Sequence, residues 1–287
     1  TSGSLGLLFA PSLPLILYGV ITQQLSLGTP ISIDDLFLAG FLPGILMLVT
    51  LSAWSIWINR SNRKPVSKLS LREIRSAVRD AIWEIPLPFV ILGGIYGGYF
   101  AVSEAAAITA LYVLIVELFI YREIRLNQLP EIIRESMVLV GGILIILGLS
   151  LASSNALIDA EIPMHLFDYV STHVDDKLTF LLLLNIFLLI LGTMLDIFSA
   201  IVLVIPLILP IAINYGVDPL HLGIIFLANM QLGYMTPPVG LNLFIASYRF
   251  NKPIAEVYRA TLPFFFLLLT TVLVITYFPQ LSLWLPR

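Results

Sequence analysis

The sequence predicts an all-α polytopic membrane protein, built as inverted repeats with a re-entrant helical hairpin and broken transmembrane helices. Three observations predict it: overall apolarity, the alternation of charge between loops, and two matching helix-breaking motifs. Hydrophobic residues make up 59% of the 287 and charged residues only 11%, with a mean hydropathy of +0.98, far more apolar than a soluble domain. Runs such as Leu178–Leu195 and Pro263–Phe278 are about as long as a helix needs to cross a hydrocarbon layer of roughly 30 Å. There are too many of them to form one soluble core.

Composition also excludes several chemistries. Cysteine is absent, which removes disulfides, thiolate nucleophiles and zinc–sulfur sites. No G-x-x-x-x-G-K-[ST] sequence is present, so ATP hydrolysis at a P-loop is excluded. The net charge of −3 conceals a strong asymmetry along the chain, and no nucleic acid partner is expected. The histidines His165, His173 and His221 lie in or beside expected loops and read as solvated side chains. The chain begins at Thr1 with no signal-peptide pattern, so an amino end cut from a longer chain is expected.

Charge gives the topology. Arg60, Arg63, Lys64, Lys68, Arg72, Arg75 and Arg79 stand against Glu73 and Asp80 directly after the apolar run Gly44–Ile58, which puts this stretch in the cytoplasm. Within it, Leu71, Ile74 and Val78 give Leu69–Asp80 the spacing of an amphipathic surface helix. Ala81–Ile120 is long enough for two crossings and returns to Arg122, Arg125 and Arg134. A crossing about Met137–Leu151 then leads to an acidic external loop carrying Asp159, Glu161, Asp168, Asp175 and Asp176.

Thr179–Ile213 corresponds to about 52 Å of helix, too long for one crossing and short for two. It predicts a re-entrant hairpin turning near Gly192–Ser199, with two short full crossings giving the same parity. His221–Ser247 runs inward to Arg249, Lys252 and Arg259, and Pro263–Phe278 runs out again. At the other end, Gly6–Thr22 runs outward to Asp34 and Asp35 before Gly44–Ile58 returns.

Two segments then match. Gly6-Leu7-Leu8-Phe9-Ala10-Pro11-Ser12 and Gly233-Tyr234-Met235-Thr236-Pro237-Pro238-Val239 each carry a glycine and, within five residues, a proline inside a spanning segment. Each is followed by an aliphatic stretch, a loop and a similar expected helix start, at Gly40–Pro43 and Ala260–Pro263. Charge parity runs the two in opposite directions, which makes them an inverted pair. Proline lacks the backbone donor and clashes with the preceding turn. The carbonyls it frees are tolerable at membrane depth only against protein, water or an ion. Paired helix breaks in inverted repeats are the architecture of secondary transporters, with coupling-ion sites at the breaks.

Asp196 stands at the expected hairpin tip, where an ionisable group in hydrocarbon points to function, such as a nearby cation, or to capping of the second helix. Glu104 follows Ser103 at an expected helix start, where the helix dipole favours it; substrate contact is the other reading. Asn185, Asn229, Gln231 and Asn242 read chiefly as hydrogen-bonding groups between helices.

These residues resemble the large membrane subunit of TRAP transporters. The likeness is carried by Ser2–Leu8, Pro11-Ser12-Leu13-Pro14, Ser103-Glu104-Ala105-Ala106-Ala107, Gly233–Phe244 and the closing Ile275–Pro279 and Leu281–Pro286. Ala10 departs from the usual proline pair and Ser103 from a commoner threonine. The resemblance implies an elevator mechanism, in which a transport domain slides against a scaffold that a smaller four-helix membrane subunit extends. Residues 1–30 would then end the first transport element, and 31–80 would hold a scaffold helix and the amphipathic segment. Residues 81–177 would form connecting helices and the acidic loop, 178–250 the second transport element, and 251–287 the terminal scaffold helix.

The resemblance further implies Na⁺ as coupling ion. One site would use backbone carbonyls at Gly6, Phe9 and Pro11; a second would use Gly192, Gly233, Thr236 and Val239, with Asp196 close by. The implied substrate is a small organic anion, such as a C4-dicarboxylate or sialic acid, delivered by a periplasmic binding protein to a multi-pass subunit of the bacterial inner membrane. A longer subunit with a first hairpin ahead of residue 1 is expected, so this chain alone would not transport. A related Na⁺-coupled anion transporter working without a binding protein is the alternative. An intramembrane enzyme would need a nucleophile and base or a metal cluster that the sequence does not offer, and a non-transporting assembly subunit would leave the breaks without purpose.

Overall fold

A computed structural model describes residues 3–25, 31–60, 70–237 and 240–286; Ser2, Arg63, Lys64, Lys68, Pro238 and Val239 lie outside the described residues. Every regular element among them is helical. Two packed units are present, Thr1–Ile56 with Ile145–Arg287, and Trp57–Leu144. Five helices are long and apolar enough to cross a membrane: Ile33–Ile58, Ser103–Ile120, Lys177–Met194, Ile197–Asn214 and Ile254–Tyr277. The chain is a polytopic membrane protein. Its exposed surface agrees with a lipid solvent, since Leu183, Ile186 and Ile190 of one such helix are 47%, 49% and 56% exposed, where a soluble helix would turn polar residues outward.

In the larger unit, a 3₁₀ turn Gly3–Leu7 leads to α1 (Leu13–Leu25) and α2 (Ile33–Ile58). The helix start expected at Gly40–Pro43 is corrected: α2 begins at Ile33, where the Ser32 Oγ accepts the Asp34 N–H at 3.2 Å and Asp34 and Asp35 occupy the first turn, the dipole-favoured place for acids. Pro43 lies inside the helix. Ending a helix in apolar surroundings would strand several carbonyls, so a proline there is accommodated rather than obeyed. The same correction applies to Ala260–Pro263, which falls inside a helix that starts at Ile254.

In the smaller unit, α3 (Leu71–Asp80) is the expected amphipathic helix, with Ser70 as its cap accepting the Glu73 N–H; Ile74 and Val78 stay exposed. The stretch read as two crossings contains only one helix of crossing length. α4 (Pro86–Tyr96) has 11 residues, about 16 Å, because Pro86 sets its start and Gly97–Ala101 its end. α5 (Val102–Ile115) continues as a π turn, Val116–Ile120. Glu104 Oε2 accepts the Ala101 N–H at 3.0 Å, which gives it a capping role. Ile91, Ile95 and Ala105, with Leu87 and Phe100, form the local core.

α6 (Leu129–Asp159) has 31 residues. The external stretch read as a loop contains α7 (Ile162–Ser171). α8 (Lys177–Met194) and α9 (Ile197–Asn214) follow, joined through Leu195 and Asp196. Asp176 caps α8, and its hydrogen bonds from Thr179 hold its carboxyl below the usual carboxylate range. α10 (Pro219–Gly233) is buried from His221 to Gly233, as a helix apolar on every side must be. α11 (Leu241–Phe250), α12 (Ile254–Tyr277) and α13 (Gln280–Leu283) complete the chain.

α10 packs along α8 and also meets α9, α12, α1, α13 and the 3₁₀ turn. His221 is thereby corrected from a solvated loop residue to a buried one. Its Nδ1 lies 3.2 Å from Ser282 Oγ and its Nε2 lies 3.1 Å from the Thr276 carbonyl, so the ring, donating from Nε2 to that carbonyl, ties α10 to α12 and α13. Deeper in, Asn229 Nδ2 donates to Asn185 Oδ1 at 2.7 Å, and Thr276 Oγ1 donates to the same oxygen at 3.1 Å. This is the expected helix-to-helix bonding among α8, α10 and α12.

Gly40 tests the packing of α2. A methyl there would collide with the Leu8 carbonyl oxygen, so Gly40→Ala is expected to cost about 1–3 kcal/mol as overpacking. Thermal unfolding in detergent should read this as a lowered midpoint, whereas Gly6→Ala, with nothing within 4 Å, should leave the midpoint unchanged.

Candidate functional site

The second break is an interruption of helix between Gly233, the last residue of α10, and Leu241, the first of α11. Tyr234 and Met235 continue as turns whose N–H groups reach back to Met230 and Leu232. The Gly233 carbonyl then accepts from the Thr236 N–H at 3.0 Å and from the Thr236 hydroxyl at 2.8 Å; the hydroxyl also lies 3.1 Å from the Leu232 carbonyl. Thr236 therefore closes the end of α10 in this structure. Gly240 has a φ of +53°, the left-handed conformation that glycine adopts most readily, and it turns the chain into α11.

The tip between α8 and α9 meets this break directly. A methyl built on Gly233 would come within 2.5 Å of the Gly192 carbonyl carbon, and one built on Gly192 within 3.1 Å of the Gly233 Cα. Both glycines are needed because backbone packs on backbone. The contact brings the carboxyl ends of α8 and α10 side by side. Helix ends leave their last carbonyls without intrahelical partners and carry the negative end of the dipole, so the junction is a favourable place for a cation. Leu195 N–H satisfies the Leu191 carbonyl at 2.8 Å.

Asp196 is exposed at the tip and caps α9: its Oδ2 accepts the Phe198 N–H at 3.0 Å and the Ser199 N–H at 3.1 Å. The structure thus realises the capping reading and leaves its carboxylate within the same tip as Gly192. Sequence reasoning missed Tyr234. Its hydroxyl accepts the Ile197 N–H at 2.6 Å in a buried bond, so it pins the start of α9 to the second break. A tyrosine one residue beyond the helix end carried no periodic signal that could have revealed this.

At the first break, the Leu5 and Gly6 carbonyls accept from Leu8 and Phe9 N–H at 3.2 and 3.3 Å, and the Ser12 hydroxyl donates to the Leu7 carbonyl at 2.6 Å. Gly6 and Pro11 are exposed, and the Phe9 ring packs on Gly44 of α2 and edge-on to Phe41. Of the residues expected for the two sites, Gly192, Gly233, Thr236 and Asp196 cluster at one junction, while Gly6, Phe9 and Pro11 share the other break. Val239 lies outside the described residues.

Segments on either side of the first break pack against the first half of α10. Tyr18 of α1 packs against Gly223 and donates its hydroxyl to the Pro219 carbonyl at 2.6 Å, near the start of α10. Leu8, earlier in the chain, borders Gly40 together with Ile224, later in α10.

Tyr234→Phe leaves the buried Ile197 N–H without its acceptor, at an expected cost of about 1–3 kcal/mol. Hydrogen exchange should accelerate at the first turn of α9 and remain unchanged at its last turn.

Comparison with known proteins agrees with these features. A family model of the "Tripartite ATP-independent periplasmic transporter, DctM component" matches residues 1–281. The chain is 37% identical over 287 residues to the C4-dicarboxylate TRAP transporter large permease protein DctM of Pseudomonas aeruginosa, covering all of this chain and 66% of that protein. It is 34% identical over 284 residues to the isethionate TRAP transporter permease protein DctMQ of Oleidesulfovibrio alaskensis, covering 98% and 44%. Against the sialic acid TRAP transporter large permease protein SiaM of Vibrio cholerae it is 32% identical over 285 residues, covering 99% and 65%. The chain spans about two thirds of the first and third of these relatives and under half of the second. With the family model matched over nearly its whole length, the chain belongs to the DctM family of tripartite ATP-independent periplasmic transporter components.

Proposed function

We propose that the chain is the transporting part of a large membrane subunit that imports a small organic anion into a bacterium, coupled to Na⁺ and driven by an elevator motion. The observation that carries this reading is the junction where Gly192 meets Gly233. Two helix ends present carbonyls and negative dipole there, and Thr236 and Asp196 stand beside them. Such an arrangement suits a monovalent cation of low charge density, held by neutral carbonyls. Charge parity of the loops, which runs the two broken segments oppositely, supports an inverted repeat, with α8 and α9 as a re-entrant hairpin, and hence movement of one body against another.

The substrate class follows from the relatives, which are named for C4-dicarboxylates, isethionate and sialic acid; all are small organic anions. By the same likeness the subunit lies in the bacterial inner membrane, works with a small membrane subunit and receives its substrate from a periplasmic binding protein. Transport without a binding protein is the second reading, and the helix breaks favour it equally.

The test is uptake by the full-length subunit, reconstituted with its small partner, under an imposed Na⁺ gradient with and without binding protein. Uptake should require both; dependence on Na⁺ alone would select the second reading, and indifference to both would reject the proposal. Thr236→Ala should raise the Na⁺ concentration for half-maximal uptake. Asp196→Asn keeps a good helix cap and loses the charge, so it should raise that concentration while leaving thermal stability nearly intact. An unchanged Na⁺ dependence for Asp196→Asn would confine Asp196 to capping.

A further inference from the structure

Gln231 lies in the last turn of α10 and is 1% exposed, yet neither its Oε1 nor its Nε2 has a hydrogen-bond partner. A buried amide left unpaired at both atoms is costly, and such groups in a native protein call for a specific occupant. Its neighbour Asn229 has only its Oδ1 unpaired, because its Nδ2 bonds Asn185 and the Ile225 carbonyl. Two residues turn a helix by about 200°, so Gln231 points away from that network.

Helical phase gives its direction. Ile224 precedes Gln231 by two turns, so both lie on one face of α10. Ile224 borders Gly40 beside the Leu8 carbonyl, and the start of α10 holds Tyr18. Tyr18 occupies the first half of α10, at Pro219 and Gly223, and Leu8 meets the face that carries Ile224. The 3₁₀ turn Gly3–Leu7, directly before Leu8, also packs against α10. The face that bears Gln231 is the face that meets Leu8 of the first break.

We infer that Gln231 is a side-chain ligand to a Na⁺ held at the first break, a site whose other expected ligands, Gly6, Phe9 and Pro11, would all contribute backbone carbonyls. The inference rests on the proposed Na⁺ coupling. Oε1 coordinates the ion as a neutral oxygen, which is why the site needs no buried carboxylate. Because Gln231 stands two residues before Gly233, occupancy of the first break is felt at the second through a single helical turn.

The test uses the full-length subunit with its small partner in lipid nanodiscs, with thermal unfolding followed as NaCl replaces choline chloride. Gln231→Met keeps length and helix propensity while removing both polar atoms. It should unfold at the wild-type temperature or above it without Na⁺, because an orphan amide has gone. The Na⁺ concentration for half-maximal stabilisation should rise about tenfold or more. Gln231→Glu retains the ligand oxygen and should keep a Na⁺ response near that of the wild type, which guards against a Met variant that misfolds. A Met variant with wild-type Na⁺ dependence overturns the inference, and so does one that is destabilised without Na⁺ and otherwise unchanged, the signature of a structural water. A wild type stabilised equally by both salts overturns the coupling reading itself, and this inference with it.

Discussion

The contact of Gly192 on Gly233 is the constraint from which the rest of the larger unit follows. Two helix ends can approach so closely only where neither carries a Cβ, and once they do, the last carbonyls of both helices are brought to one junction. In water those carbonyls would be solvated at little cost. In a membrane each must find a donor or an ion. The Thr236 hydroxyl and N–H meet part of that demand by bonding the Gly233 carbonyl, and under the proposed function a cation would meet the remainder.

Holding two ends in contact requires that their helices not slide. α8 and α10 are locked in register by Asn185 and Asn229, with Thr276 of α12 sharing the same acceptor oxygen. His221 fixes the other end of α10 to α12 and α13. Apolar packing alone supplies little direction between helices in lipid, since the tails are as apolar as leucine. Hydrogen bonds with one geometry set the register, and with it the glycine-to-glycine contact.

Much of this was legible in the sequence. The turn between α8 and α9 falls at Leu195 and Asp196, within the expected Gly192–Ser199, and α10 ends at Gly233, ahead of its proline pair. These features are local, carried by glycine, proline and charge, whose effects on the backbone need no partner. The misjudged features depend on tertiary surroundings. Pro43 and Pro263 sit inside long helices because apolar surroundings favour an unbroken hydrogen-bond ladder over the local preference of proline. α7 occupies an acidic stretch that charge alone marked as a loop. His221 is buried because Thr276 and Ser282, more than fifty residues away, supply its partners. Tyr234 was illegible for the same reason, since its acceptor role exists only when the α9 start arrives beside it.

Helix polarity adds a last step. At the junction α8 and α10 end while α9 and α11 begin, so negative and positive dipole ends lie within a few residues of each other. The ending helices favour a cation, and the beginning ones favour an anion. Asp196 occupies the anion's place at the start of α9 through its own carboxylate, which leaves the start of α11, entered through the left-handed Gly240, as the one of these two ends whose cap has no side-chain hydrogen bond. A cation at the ending helices would lower the cost of bringing an anion to that second start. Charge of each sign then stabilises the other's binding. On the proposed function, coupling between ion and organic anion would need no relay beyond the break itself.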